Sequence, residues 1–307
     1  IMKTVIKKIF AKVLFQFAGF IPTKLYLYLK FYIQMGYTLS FKSPKTFSEK
    51  IQWLKLHDRG NILYQRLVDK SLVKEYVRSI LGDEYLIPTI GVFDAVSLIR
   101  YDELPQQFVI KTTDGGGGAN VFICKDKNVT TFENILMFFD NVKKANIYRY
   151  FREWPYKNIK RRYIVEPYLQ SIDGTLYDYK FFCFDGKAMF FKVDFDRFME
   201  HRANYYDRNC ELLLFGEEAF PPVYDKPFKF PSNIDEMFIV AEKLSAGFPF
   251  IRVDLYNVDG RIYFGELTFY PASGMGRFTS YESDLKLGTL INLPLGFYKQ
   301  ESTLPRS

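Results

Sequence analysis

Four consecutive glycines, Gly115, Gly116, Gly117 and Gly118, separate two runs that are rich in β-branched and aromatic residues. Such runs, interrupted by a short glycine-rich segment, predict two strands joined by a hairpin loop. Ordering four glycines costs much conformational entropy, which indicates that the loop requires backbone groups free of side chains. Lys111 precedes the glycines on the first predicted strand.

Closely spaced backbone N–H groups in such a loop can surround phosphate oxygens. In a P-loop the lysine follows the glycines and a helix comes next, whereas here the lysine precedes them and a strand follows. The loop also lacks the G-x-G-x-x-G spacing of dinucleotide-binding folds. Two interpretations stay open from these residues alone: a lid that closes over phosphates, and the flexible tip of a hairpin.

A second hairpin is predicted over residues 250–269. Every second residue of a strand shares a face, so Arg252 and Asp254 lie on one face of its first strand. Glu266 and Thr268 likewise share a face of its second strand. Neighbouring carboxylates repel unless a cation lies between them, and oxygen ligands of this kind suit Mg²⁺ held with nucleotide phosphates. The alternative is a surface hairpin with scattered charge.

The length of the turn decides whether the carboxylates of Asp254 and Glu266 meet. A two-residue turn would pair Asp254 with Gly265 and point Glu266 to the other face. A three-residue turn, with Gly260 in the left-handed conformation, brings the carboxylates together. We predict the three-residue turn because it also places the apolar residues of both strands on the opposite face.

Charge is concentrated at the amino end of the chain. The 307 residues carry a net charge of +7, but residues 1–50 contain nine lysines and one acid, Glu49, so the remainder has a net charge of −1. A nucleic-acid-binding protein normally carries its basic patch on the folded body, so nucleic acid is not expected as a partner.

The chain has three cysteines, Cys124, Cys183 and Cys210, which are far apart in the sequence. This pattern is typical of a cytoplasmic protein without disulfides.

Apolar residues recur with helical spacing near the amino end, at Ile6, Ile9, Phe10, Val13, Leu14, Phe17 and Phe20. The longest uncharged run is shorter than the about 20 apolar residues that cross a bilayer, and no secretory signal is predicted. Two interpretations of residues 2–30 stay open. One is peripheral contact with the anionic inner face of the cell membrane. The other is a helix that packs on the body with its lysines in water.

The remaining pattern predicts an α+β fold with antiparallel hairpins and helices between them. Helices are predicted over residues 46–58, 69–82, 131–145 and 234–246. Strands are predicted over residues 108–112, 120–124, 163–169, 177–184, 187–195, 250–257 and 261–269.

Several of these motifs, in a fixed order, resemble the ATP-grasp superfamily: a lysine before a glycine-rich hairpin, a strand ending in "VEPYL", and the late hairpin "RVDLY…GEL". The late hairpin is similar to that of D-alanine–D-alanine ligases. The segments "SPKTFSEKIQWLKL", "DYKFFCF" and "GELTFYPASGMGRF" resemble more narrowly the TupA-like branch, named for teichuronopeptide synthesis and found among bacterial capsule and surface-polysaccharide genes. The resemblance covers roughly residues 43–298.

The resemblance implies an ATP-grasp fold, in which two α+β subdomains grip ATP. It divides the chain into a basic amphipathic extension, a helical region, a lid subdomain with the glycine loop, and a carboxyl-terminal subdomain with the metal-binding hairpin. These parts are residues 1–42, 43–105, 106–165 and 166–300.

The resemblance assigns one set of residues to ATP: Lys70, Lys111, Gly115, Gly116, Gly117, Gly118, Glu166, Leu169, Asp173 and Lys180. The three lysines correspond to phosphate contacts, and the glycines correspond to the lid. Glu166 begins the hinge for adenine, to which backbone groups as far as Leu169 contribute, and Asp173 corresponds to a ribose-binding acid. The alternatives are a solvated lysine on a helix for Lys70, a strand lysine in water for Lys180 and a polar turn for Asp173.

The same resemblance assigns Mg²⁺, with two ions expected, to Asp254, Glu266 and Thr268, the last standing where relatives often have Asn. Arg252 and Lys111 are the implied catalytic residues. Arg252 would neutralise the transferring phosphate, with an ion pair to Asp254 or Glu266 as the alternative.

The implied reaction has two steps. ATP phosphorylates a carboxylate to an acyl-phosphate, and an amine then displaces the phosphate to give an amide. The implied substrates are an amino acid and a sugar, either a uronic acid or an amino sugar, with a lipid-linked acceptor as one possibility. Candidate substrate contacts are Ser273, Arg277 and Arg197.

Two other functions stay open. A glycosyltransferase of the same pathway would use a D-x-D metal motif, and the string "DFD" at Asp194–Asp196 fits it. A binding protein that keeps the fold without catalysis is the other alternative. Release of ADP, or of a nucleoside diphosphate from a sugar donor, separates ligase from transferase.

Overall fold

The computed structural model describes residues 10–116, 118–142, 147–172, 174–195 and 201–294. Its helices are α1 (Thr23–Met35), α2 (Phe47–His57), α3 (Ile62–Val68), α4 (Val73–Leu81), α5 (Phe132–Asn141), α6 (Ile147–Phe151), α7 (Ile234–Ser245) and α8 (Tyr281–Thr289). Residues 10–16 are also helical. Its strands are β1 (Gly91–Phe93), β2 (Phe108–Thr112), β3 (Val121–Cys124), β4 (Tyr163–Pro167), β5 (Asp178–Phe184), β6 (Lys187–Phe195), β7 (Arg202–Asp207), β8 (Leu212–Leu213), β9 (Phe250–Val258) and β10 (Arg261–Thr268).

The larger sheet has six strands in the order β10-β9-β5-β6-β7-β8, and all neighbours are antiparallel. One face packs on α7, where the rings of Phe181 and Phe238 lie 4.9 Å apart. The opposite face is apolar where Phe250 meets Phe47 of α2, with ring centroids 5.0 Å apart. Because residues alternate along a strand, Arg252 and Asp254 lie on this second face, beyond the apolar part.

The smaller sheet has four antiparallel strands in the order β1-β4-β2-β3. Buried residues of α5, including Ile135 and Phe139, pack against its core residues Phe108 and Ile110. The glycine loop joins β2 to β3 at one end of this sheet. Residues 168–177 join β4 to β5 and therefore connect the two sheets. The α+β class with antiparallel sheets is confirmed.

A capping box begins α2. The side chain of Thr46 accepts from the Glu49 N–H at 3.1 Å, and the Glu49 carboxylate accepts from the Thr46 N–H at 3.1 Å. The next predicted helix begins later than residue 69, at Val73. Asp69 accepts from the backbone N–H groups of Ser71 and Leu72, which competes with helix formation. Lys70 consequently lies in the turn between α3 and α4, and its predicted place on a helix was wrong.

The described part of the amino-terminal extension packs on the body. The Tyr26 hydroxyl of α1 donates to the Tyr150 carbonyl at 2.9 Å, and Leu27 and Phe31 are fully buried. None of the helices in the described ranges has both the length and the apolar character needed to span a bilayer.

Candidate active site

A row of polar side chains crosses five neighbouring strands of the larger sheet. The strand register pairs Glu266 with Asp254, and Asp254 with Lys180. It continues from Lys180 to Lys192 and from Lys192 to Tyr205. Directly opposed side chains have Cβ atoms about 5 Å apart, so each member can interact with the next. The row lies on the face of the sheet that points away from α7, where Asp254 and Lys180 are buried.

The turn of the β9–β10 hairpin differs from the prediction. Val258 pairs with Arg261, so only Asp259 and Gly260 form the turn, and the predicted three-residue turn was wrong. Both turn residues have positive φ, 52° and 90°, as a two-residue hairpin turn of the I′ type requires.

A β-bulge restores the meeting of the two carboxylates. The register shifts between Phe264 and Glu266, so Gly265 is an additional residue and Glu266 lies opposite Asp254. One additional residue reverses the face of every later side chain on that strand. A Cβ atom at position 265 would lie 2.9 Å from the Asp254 carbonyl oxygen, which explains the glycine. The predicted encounter of the carboxylates is thus present, but the bulge causes it.

Gly265→Ala is expected to lower the free energy of unfolding by roughly 1–3 kcal/mol, because the new methyl group overlaps backbone that the bulge brings close. Binding of Mg-ATP, the ligand that the resemblance implies, should weaken as well, since the carboxylates lose their alignment. Chemical denaturation and calorimetric titration measure the two effects. Gly19→Ala is the matched control, because no atom lies within 4 Å of a Cβ built there. Stability and Mg-ATP affinity equal to those of the control would contradict the role of the bulge.

Arg252 lies between the two carboxylates. Its Nε and Nη2 donate to the two oxygens of Asp254, both at 2.6 Å. Nη2 also donates to Glu266 Oε1 at 3.2 Å and to Thr268 Oγ1 at 3.1 Å. The ion pair that the sequence left as an alternative is therefore present. The role of Arg252 at a transferring phosphate stays a prediction.

Burial and charge act differently on the two acids. Burial raises the pKa of Asp254 to about 6, although the charges of Arg252 and Lys180 oppose the shift. Burial would also raise the pKa of Glu266, but the charges of Lys70 and Arg252 outweigh it and lower that pKa to about 2. At neutral pH both groups are ionised and able to hold a cation.

The donor set fits Mg²⁺ that is bound together with phosphates. Asp254, Glu266 and the Thr268 hydroxyl all converge on one cationic nitrogen of Arg252. Magnesium in nucleotide sites commonly takes one or two carboxylates and completes its shell with phosphate oxygens and water. Within the described ranges, no group of three or more His, Cys, Asp or Glu residues could hold a metal ion. The protein alone would therefore provide only part of the coordination.

Lys70 connects this acid pair to the glycine loop. Its Nζ donates to Glu266 Oε2 at 3.0 Å, and its backbone N–H donates to the Thr113 carbonyl at 3.2 Å. Thr113 lies two residues before the first glycine of the loop. Asp114, between them, accepts from Arg161 Nε at 3.0 and 3.1 Å. Two hairpins that are distant in the sequence thus meet at Lys70.

Lys111 points along the smaller sheet to Glu166. Its Nζ donates to Glu166 Oε2 at 2.8 Å, and Lys74 of α4 donates to Oε1 at 2.5 Å. Burial would raise the pKa of Glu166, but the charges of Lys111 and Lys74 together lower it. The three side chains lie where β4 leads into the segment that joins the two sheets. Lys74 was not predicted, and nothing in the local sequence distinguishes it from a surface lysine.

Lys180 is surrounded by acids instead of water. It contacts Asp178, lies 2.9 Å from Asp194 Oδ2, and lies 4.0 Å from Asp254 Oδ2. Burial lowers the pKa of Lys180, but these three carboxylates raise it overall. Lys192 adds a further pair with Asp194, at 3.5 Å. Strand alternation in "DYKFF" and "KVDF" could have predicted Asp178, Lys192 and Asp194 as neighbours of Lys180 on one face.

Two of the three predicted substrate contacts, Ser273 and Arg277, are engaged by other parts of the protein. Ser273 is buried in the turn after β10, and its hydroxyl accepts from Lys55 Nζ at 2.6 Å. Arg277 Nε donates to the Gln34 carbonyl of α1 at 2.8 Å.

Leu169, which was predicted to contribute to adenine binding, lies in the segment between the two sheets. Three further predicted residues lie outside the described residues: Gly117, Asp173 and Arg197.

A family profile described as TupA-like ATP-grasp matches residues 49–292. The chain belongs to the TupA-like ATP-grasp family. The predicted family and the predicted ATP-grasp fold are therefore confirmed. No curated protein sequence matches the chain.

Solved structures that the TupA-like chain is similar to include three ligases or synthetases. D-alanine–D-alanine ligase from Helicobacter pylori has a TM-score of 0.40 and 15% identity, over 74% of this chain and 61% of that chain. The Bacillus anthracis D-alanine–D-alanine ligase complexed with ATP has a TM-score of 0.39 and 16% identity, over 66% and 54%. N5-carboxyaminoimidazole synthetase from Staphylococcus aureus complexed with ADP has a TM-score of 0.41 and 14% identity, over 82% and 61%. The chain thus spans between half and two thirds of the length of each.

Proposed function

We propose that this protein is an ATP-dependent carboxylate–amine ligase that forms an amide through an acyl-phosphate. The observation that carries the proposal is the contact of Lys70 with both Glu266, at 3.0 Å, and the base of the glycine loop, at 3.2 Å, in a chain of the TupA-like ATP-grasp family. An acid pair, a cluster of lysines and a glycine lid would then surround one triphosphate.

In this proposal each group has a distinct electrostatic task. Asp254 and Glu266, helped by Thr268, would hold Mg²⁺, which when bound neutralises phosphate charge. Lys70, Lys111 and Lys180 would neutralise phosphate oxygens, and Arg252 would stabilise charge on the transferred phosphoryl group. Closure of the glycine loop would exclude water, which otherwise hydrolyses an acyl-phosphate.

The proposed substrates are an amino acid and a sugar of a bacterial capsular or surface polysaccharide, the sugar being a uronic acid or an amino sugar. Family membership supports this class, and Ser273, Arg277 and Arg197 are proposed to contact the substrate. We further propose that the acceptor is lipid-linked, and that the protein lies in the cytoplasm in peripheral contact with the inner face of the membrane through residues 2–30.

The glycosyltransferase alternative has less support. Asp194, the first acid of the D-x-D string, is held by Lys180 at 2.9 Å and by Lys192 at 3.5 Å. A metal at that carboxylate would have to displace two buried cations, which is unfavourable.

The test is incubation of the protein with Mg-ATP, pooled amino acids and pooled uronosyl or amino sugars, with each pool omitted in turn. Release of ADP together with a condensed mass, dependent on both pools, is the expected result. Release of a nucleoside diphosphate from a sugar donor would establish the transferase instead. ATP binding without any turnover on broad substrate panels would favour a binding protein.

A further inference from the structure

The helical segment 10–16 and the turn after it have two apolar faces. One face packs on the body, where Leu14 and Ala18 are buried against Tyr26. Phe15 stacks on Tyr150 of α6, with ring centroids 3.7 Å apart. The interpretation of this segment as a helix packed on the protein is therefore correct for part of its apolar residues.

The other apolar face is in water. Phe10 is 52% exposed, Val13 46%, Phe17 52% and Phe20 88%. Their spacing of three and four residues places Phe10, Val13 and Phe17 along one side of a helix, and Phe20 follows at the same spacing. Scattered exposed apolar residues are common, but a row containing three phenylalanines on one side is typical of an interaction surface. We call these four residues the aromatic face.

The aromatic face is held in a defined orientation. Arg152 donates to the backbone carbonyl groups of Ala18 and Ile21, and its guanidinium lies 4.1 Å from the centre of the Tyr26 ring. Arg149 of α6 donates to the Gln16 carbonyl at 3.3 Å. Because these contacts anchor the segment to α6, the aromatic face is a fixed part of the protein surface.

The charge around the aromatic face identifies its partner. Residues 10–50 contain four exposed lysines, at positions 12, 24, 42 and 45, and one acid. That acid, Glu49, is buried in the capping box of α2, so it offers little negative charge to an approaching surface. A second copy of this chain would bring like charges together, whereas an anionic lipid surface is complementary in both charge and hydrophobicity.

We infer that the aromatic face docks on an anionic lipid bilayer, with Phe10, Val13, Phe17 and Phe20 inserted at the level of the head groups and the exposed lysines of residues 10–50 contacting lipid phosphates. Helices that carry an exposed apolar side beside lysines lie in the membrane interface in this way. The inference deepens the proposed function, since it names the surface that would bring the enzyme to a lipid-linked acceptor. Lipid binding needs no substrate, so its failure and the failure of ligation are separately visible.

The test is co-flotation of the full chain with vesicles of phosphatidylcholine alone and of phosphatidylcholine mixed with phosphatidylglycerol. We expect binding to the mixed vesicles only, weakened by added salt. The double variant Phe17→Ser, Phe20→Ser should bind at least about tenfold more weakly. Its melting temperature should stay close to that of the wild type, because Phe17 is half exposed and Phe20 is 88% exposed. The matched control is Val129→Ser, Leu214→Ser, which alters residues that are 78% and 81% exposed elsewhere on the surface.

Two results would overturn the inference. One is a wild-type protein that stays unbound on the mixed vesicles at low salt. The other is equal vesicle binding by the wild type and the Phe17, Phe20 variant. If the unbound wild type instead forms dimers in size-exclusion chromatography that the same variant dissociates, the aromatic face is an interface between copies of this chain.

Discussion

Replacing Asp254 with asparagine is expected to lower Mg-ATP turnover by about 10²–10³-fold, the usual cost of removing one group that stabilises charge in a transition state. The carboxylate of Asp254 lies opposite Glu266 and accepts two hydrogen bonds of 2.6 Å from Arg252. The amide that replaces it carries no charge, so it would weaken a magnesium site and also leave Arg252 less well oriented. ADP release, measured with saturating ATP, gives the loss in rate.

The control for this variant is Asp259→Asn. It makes the same chemical change in the turn of the same hairpin, where φ is 52° and suits asparagine. The remaining side-chain oxygen can still accept the hydrogen bonds that Asp259 accepts from Ser171 and Ile172. Circular dichroism and the melting temperature establish that both variants are folded. If Asp254→Asn keeps more than half of the control rate, Asp254 does not hold the metal and the assignment of the acid pair is wrong.

Replacing Lys180 with methionine is expected to destabilise the fold by about 3–5 kcal/mol near neutral pH, because it leaves buried charges without their shared cation. The lysine side chain is 8% exposed and contacts three carboxylates, those of Asp178, Asp194 and Asp254. Methionine keeps most of the volume of the side chain and removes its charge. The difference is measured by urea denaturation against Lys187→Met, which changes an exposed lysine on the adjacent strand β6.

The destabilisation should depend on pH in a defined direction. Burial already raises the pKa of Asp254 to about 6 in the presence of Lys180, and loss of the cation raises it further. A carboxyl group whose pKa is higher in the folded than in the unfolded state binds more protons when folded, so the free energy of unfolding falls as pH rises through that interval. The deficit of Lys180→Met is therefore expected to be smaller at about pH 5 than at about pH 8. A deficit that is constant across this range would indicate lost packing rather than uncompensated charge.

The sequence predicted most strands and the encounter of Asp254 with Glu266, because both depend on local period and order. It failed at the turn, since an alternating pattern does not reveal where one additional residue interrupts the ladder. A signal was nevertheless present: Gly265 stands inside a strand pattern, where glycine commonly marks a bulge. Interpreting that glycine would have predicted the two-residue turn correctly.

Other parts of the site depend on contacts that no local pattern encodes. Lys74 reaches Glu166 across 92 residues of sequence, and Lys55 reaches Ser273 across 218. Both lysines lie in helical segments, where they are indistinguishable from solvated residues until the tertiary packing is known. The turn that holds Lys70 was also missed, because the side chain of Asp69 satisfies backbone groups that a longer helix would have used.

The position of Arg252 between two carboxylates, with Lys70 on the far oxygen of one of them, has a consequence for the order of events. Without a bound nucleotide, the positive charges of Arg252 and Lys70 balance the negative charges of Asp254 and Glu266. A divalent ion alone would compete with the guanidinium of Arg252, which already contacts both carboxylates. A triphosphate alone would be repelled by Asp254 and Glu266. Under the proposed function, nucleotide and metal would therefore bind as one complex, with Lys70 and Arg252 available to its phosphates and Asp254 and Glu266 available to its cation.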